Sequence, residues 1–181
     1  MQRLIILLTL LALTAPIAQA ATLPQDDSKA LIIGFNRIGE DAFPDKNITN
    51  DQFDTLLREV IHNDYTIRPL PELLQALKSN SPLPQKTIAI ILTQAHRSAL
   101  TQAIPKLLSH NIPFTLFINP QKTDIASAIS RQDIQSLQKH KGVSFGVTIE
   151  NELNDPQIAA RRLNQARMEF KNMTGNEAKL F

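Results

Sequence analysis

Between Thr87 and Leu92 the chain reads Thr-Ile-Ala-Ile-Ile-Leu, an uncharged run dominated by β-branched side chains. A run of this length and composition predicts a strand buried on both faces, as in a parallel sheet covered by helices. It stops abruptly at Thr93-Gln94-Ala95-His96-Arg97-Ser98 and passes into a new helix. Ligand chemistry in such folds gathers at the carboxyl ends of the strands. Thr93 and Gln94 therefore stand where a catalytic pair is expected, yet neither side chain titrates near neutral pH.

The rest of the chain supplies partners for this strand. Ala30–Phe35 predicts a first buried strand, followed by a loop with Gly39, Pro44 and Asp45. Thr49 with Gln52 three residues on is a capping-box pattern, and Phe53, Leu56, Leu57, Val60 and Ile61 then share one helical face. Asn63-Asp64 ends that helix; Tyr65-Thr66-Ile67 predicts a short strand, and Pro71 a helix with Leu73, Leu74 and Leu77 inward. Beyond the central strand, Leu100, Ala103, Ile104, Leu107 and Leu108 mark a helix that Pro105 should bend. Phe114–Ile118 is a further strand, and Ser130 with Asp133 a further helix start. Val143, Phe145, Val147 and Ile149 alternate with Ser144, Gly146 and Thr148, a two-residue period. Asp155-Pro156 caps a helix with the stripe Ala159, Leu163, Ala166, Phe170 and Met173, which Thr174-Gly175 stops. Ala178–Phe181 has the character of another strand beginning. Strands alternating with helices predict an α/β fold with a parallel sheet or barrel.

The first twenty residues are set apart from this pattern. Arg3, the apolar stretch Leu4–Leu13 and Ala18-Gln19-Ala20 form a secretory signal with a small-residue cleavage site. Its apolar core is shorter than the roughly 20 residues that span a bilayer, although an uncleaved anchor is the competing reading. The expected organisation is a signal peptide at 1–20, a polar leader at 21–29 and one domain over 30–181. The mature protein is expected to be exported, periplasmic or secreted, with no membrane span once the chain is cleaved near Ala20. The chain has no cysteine, so it has no disulfide framework. Its formal net charge of +2 includes Arg3, and no basic run with interleaved aromatics supports a nucleic-acid surface.

Several segments together resemble the polysaccharide deacetylase family, the NodB-homology domain of carbohydrate esterases. Gly34-Phe35-Asn36-Arg37-Ile38-Gly39-Glu40 stands where that family often opens with Tyr-His-Arg-x-Gly. Tyr65–Leu74 is similar to the family's linker and second helix, and Leu83–Leu92 to the approach to its first catalytic motif. Ile104-Pro105, Ile112–Ile118 and Asn172–Phe181 follow in the family's order, the last resembling the approach to a Tyr-Pro-Tyr-Gly turn. The resemblance implies a partial (β/α) barrel of parallel strands alternating with helices, with the C-terminal part of the domain missing.

It also implies a chemistry: hydrolysis of an acetyl group on a sugar by a divalent metal such as zinc, held by one carboxylate and two histidines. A second aspartate serves as base. By the resemblance Thr93 occupies the base position, Gln94 the carboxylate-ligand position, and Thr148 and Glu152 the two histidine positions. A hydroxyl, an amide and one carboxylate make a poor zinc set, and Thr93 accepts no proton at neutral pH. The expectation is a catalytically inactive relative with no cofactor. Its remaining cleft would be formed by Asn36, Thr93, Gln94, His96, Thr148 and Glu152, with a cell-wall or exopolysaccharide glycan as partner. Two alternatives stay open at this level. One is an active deacetylase with a non-standard site built from His96, Glu152 and Gln94; the other is a truncated product without function. His96 also has a plain structural reading, packing beside or capping the helix that follows.

Overall fold

The computed structural model describes residues 29–149 and 155–180. The expected signal peptide, the leader as far as Ser28, Glu152 and Phe181 lie outside the described residues.

Seven strands and five α-helices alternate along the described chain: β1 (Ala30–Phe35), β2 (Arg37–Ile38), β3 (Asn47–Ile48), α1 (Asn50–His62), β4 (Thr66–Ile67), α2 (Leu70–Lys78), β5 (Thr87–Leu92), α3 (Ile104–Ser109), β6 (Phe114–Ile118), α4 (Arg131–Leu137), β7 (Val143–Val147) and α5 (Pro156–Thr174). The described residues form a five-stranded sheet in the order β1-β5-β6-β7, with β4 also pairing β5, and every pairing is parallel. β5 is its centre: β1 runs beside its whole length, β4 pairs with Thr87 and Ile88, and β6 with Ile90, Ile91 and Leu92. The strand expected to begin near Ala178 is present as a parallel bridge from Leu180 to Gly146, where the Val147 N–H donates to the Leu180 carbonyl at 2.9 Å. The architecture is a partial α/β barrel.

The periodicity reads through to packing. Ile90 and Leu92 join Phe114, Leu116, Ile118, Phe145 and Val147 in a large core closed by Phe53 and Leu57 of α1, Ile104 and Leu107 of α3, and Phe170 of α5. Ala89, with Ile91 and Phe117 packed beside it, belongs to a smaller cluster under Leu70 and Leu73 of α2. β5 is thus apolar on both faces because both faces are covered. The caps form as their sequences predict. Thr49 and Gln52 exchange side-chain and backbone hydrogen bonds, as do Ser130 and Asp133, and Asp155 accepts from the N–H groups of Gln157 and Ile158.

Several expectations are corrected. β1 is not buried: Leu31 is 57% exposed and Ile32 43%, because β1 has a strand partner on one side only among the described residues. Ile61 and Leu77, placed on inward faces by periodicity, are exposed at the margins of their stripes. The loop after β1 contains the small parallel pair β2–β3, which Gly39 permits by adopting φ +68. The two-residue period expected for β7 is present as a strand, and both of its faces are enclosed. Ser144 and Gly146 are as buried as Phe145 and Val147, and the Phe117 ring lies where a Gly146 Cβ would stand, 2.5 Å away. Pro105 leaves its mark upstream: Ala99–Ala103 widen into a π-helical turn in which the Ile104 N–H reaches the Ala99 carbonyl, and α3 then starts with Pro105 in its first turn. Widening is how a helix accommodates a residue that cannot donate and whose ring crowds the preceding turn.

Candidate functional site

The carboxyl ends of β1, β5, β6 and β7 point the same way, as parallel pairing requires, and each delivers a polar residue just after its last apolar one. These are Asn36, Thr93-Gln94, Asn119 and Thr148. The ladder continues into them, with the Thr93 N–H donating to the Phe35 carbonyl at 2.8 Å and the Thr148 N–H to the Ile118 carbonyl at 2.9 Å. A cleft of about 840 Å³ opens over these strand ends. Asn36, Thr93, Gln94, His96 and Thr148 all line it, and Glu152 lies outside the described residues. Arg37, Lys46, Asn119, Lys122 and Thr123 line it too and were not singled out from sequence as site residues. Asn119 obeys the same strand-end rule that exposed Thr93, so it was findable; Lys46 and Lys122 come from loops with no local signature.

The Thr93 hydroxyl is already engaged. It donates to the Phe35 carbonyl at 3.2 Å and accepts from the Asn36 amide at 3.3 Å. The Thr148 hydroxyl donates to the Ile149 carbonyl at 3.3 Å. At these positions the side chains knit the strand ends together and offer no proton acceptor. Among the described residues, no three of His, Cys, Asp and Glu come together in a metal-binding group. Neutral oxygens from a threonine, a glutamine and a second threonine do not fit a zinc-type ion, which needs imidazole, thiolate or carboxylate donors.

His96 sits partly buried at the cleft wall, its backbone bridged antiparallel to Ala128 and its carbonyl accepting from the Ala99 N–H. These backbone links hold His96 at the entry to the next helix. Burial lowers its pKa below 6.5 and the charge of Arg37 lowers it further; Glu40 and the Ser127 backbone pull the other way, and Lys122 adds to the lowering. Glu40 is held below the usual carboxylate range: burial opposes this most strongly, but the nearby polar Ser98 and the hydrogen bond and charge of Arg37 prevail.

A histidine with a depressed folded-state pKa favours the neutral form, so its contribution is complete above the unfolded value and is lost as pH falls through 6.5 toward the folded pKa. Denaturant titrations at about pH 7.5 and about pH 5 should therefore show a smaller acid-induced loss of stability in His96→Gln than in the parent. Equal losses in both proteins would remove His96 from the acid response.

No family sequence model matches the chain, and no curated protein matches it in sequence. Solved structures do. The chain has the fold of polysaccharide deacetylases. Over 82% of its length it superposes on the deacetylase PplD of Streptococcus pyogenes, solved in complex with acetate, with a TM-score of 0.69, 14% identity and 70% of that chain covered. A de-N-acetylase from Aggregatibacter actinomycetemcomitans gives 0.67 at 10% identity, covering 82% of this chain and 76% of that one. A polysaccharide deacetylase from Bacillus cereus gives 0.68 at 14% identity over 82% of this chain, which spans about half (48%) of the Bacillus protein.

Proposed function

We propose that the protein is an exported, polysaccharide-deacetylase-like glycan-binding protein without deacetylase activity. The observation that carries this reading is the fate of the strand-end pair: Thr93 spends its hydroxyl on Phe35 and Asn36, and Gln94 beside it is a neutral amide. A deacetylase needs a base near neutral pKa and a polarising cation, and general-base assistance alone contributes roughly 10²–10⁴ in rate. The described side chains at these positions supply neither. They supply instead a ring of amide and hydroxyl groups at the mouth of a cleft large enough for a short saccharide. No helix among the described residues is long and apolar enough to cross a membrane, and the reading of 1–20 as a cleaved signal supports export.

The test uses the mature chain with N-acetylated chitooligosaccharide and acetylated peptidoglycan, with zinc, cobalt or nickel added and with chelator. The expected result is acetate at the blank level under every condition, together with saturable binding of an oligosaccharide that chelator does not abolish. Metal-dependent acetate release would overturn the proposal and restore the reading of an active enzyme with a non-standard site.

A further inference from the structure

The cleft is polar over the strand ends and gains apolar groups toward its rim. Ile125, which lines it, is 48% exposed, and Phe43 is the exposed aromatic side chain among the described residues, at 46%. Phe43 follows β1 and Ile125 follows β6, the strands on either side of β5, so their segments leave the sheet on either side of the strand that bears Thr93 and Gln94. A single exposed apolar side chain is ordinary on a protein surface. Phe43 is set apart by how it is held.

The Phe43 N–H donates to the Glu40 carbonyl at 3.0 Å, and its carbonyl accepts from the Lys46 N–H at 3.0 Å. The segment is closed by the β2–β3 pair, by the Gly39 N–H on the Ile48 carbonyl at 2.8 Å and by the Glu40 N–H on the Asn47 side chain at 2.9 Å. The centre of the ring lies 3.9 Å from the Arg37 guanidinium. Glu40 pairs with that guanidinium at 2.5 Å, so Arg37 serves the ring as a fixed backing and not as a free charge. Arg37 and Lys46 line the cleft and Phe43 falls between them in the chain, which puts the ring one side chain outward from the cleft wall.

We propose that the cleft continues onto Phe43 as an outer sugar subsite, so that its ligand is an oligosaccharide whose pyranose units turn an apolar C–H face to that ring. A pyranose is amphipathic: hydroxyls and amides leave its edge, while its axial C–H groups form a face that a flat aromatic ring covers without a hydrogen bond. The amides of Asn36, Gln94 and Asn119 meet the polar edge of one unit, and Phe43 stacks on a unit further along the chain. A ring already held by its loop and backed by a guanidinium loses little freedom on binding, so its contact converts into affinity. This rests on the glycan-binding reading and adds the ligand's length and its apolar contact to it.

Calorimetric titration of the mature chain with N-acetylchitobiose and N-acetylchitopentaose tests it. Phe43→Ala and Phe43→Leu should each weaken pentaose binding by about tenfold and leave the disaccharide nearly unchanged. Leucine keeps an apolar bulk against Arg37 but has no flat face, so it separates stacking from support of the cleft wall. Phe43→Trp should bind the pentaose at least as tightly as the parent. Because the chain has no other Trp, the emission of that variant reports the subsite alone and should shift saturably with the pentaose. Parent-like affinity in the Leu variant, an equal loss for both sugars, or a Trp emission that does not move while calorimetry shows binding would each overturn the subsite and leave glycan binding intact. Failure of both sugars to bind the parent would overturn both readings.

Discussion

Replacing three side chains, Gln94→Asp, Thr148→His and Glu152→His, should give the chain a zinc affinity about a thousandfold or more above that of the parent. The substitutions install one carboxylate and two imidazoles at the positions that the resemblance equates with metal ligands. The parent offers an amide and a hydroxyl at the first two, at the ends of β5 and β7. Zinc discriminates steeply between such donor sets, because neutral oxygens replace its hydration shell at little gain while imidazole and carboxylate replace it favourably. The graft leaves Thr93 in place, so the polar link from Asn36 through Thr93 to Phe35 is kept. Isothermal titration with zinc reads the outcome. A grafted chain that folds and still ignores zinc would break the equivalence of these positions with a ligand triad.

The second large effect concerns the scaffold. Phe53→Ala should lower stability by about 3–5 kcal/mol, the range for removing a fully enclosed aromatic side chain. Phe53 has 0% exposure and stands edge-on to Phe35, their ring centres 5.1 Å apart at 86°. Phe35 closes β1 directly before Asn36, and its carbonyl receives both the N–H and the hydroxyl of Thr93. A cavity at Phe53 therefore loosens the strand end that carries the cleft as well as the core beneath it. Chemical denaturation should show the loss, with ligand affinity falling in the same variant. A loss below about 1 kcal/mol would mean that the α1 packing against β1 is wrongly placed.

The parts of this fold that were legible are those whose cause is local or periodic. Thr49 and Gln52 satisfy each other within one turn, and Asp155 needs only the next three residues, so their sequences announce them. Thr87–Leu92 announces itself because enclosure on both faces leaves no charged position. What escaped depends on distant neighbours. Ala30–Phe35 reads as buried by composition, yet its exposure is set by how many strands flank it. The two-residue period of β7 does not tell that its small residues are enclosed too, which follows from Phe117 lying against Gly146. The widened turn at Ala99–Ala103 follows from Pro105, which sequence read as a bend without its form. At the cleft, the strand-end rule pointed to Thr93 and Gln94 and the resemblance to Thr148, whereas Arg37 and Lys46 of the β1–α1 connection and Lys122 after β6 share it only because two separate segments fold over the same strand ends.

The account stands on one proposed property, that the described side chains of the unaltered cleft lack the donors to retain a transition ion. Equilibrium dialysis of the mature chain against micromolar zinc, followed by metal analysis of the protein, measures that property directly. The predicted result is zinc well below one equivalent per chain. One tightly held equivalent, removed only by chelator and accompanied by acetate release from an N-acetylated sugar, would contradict it.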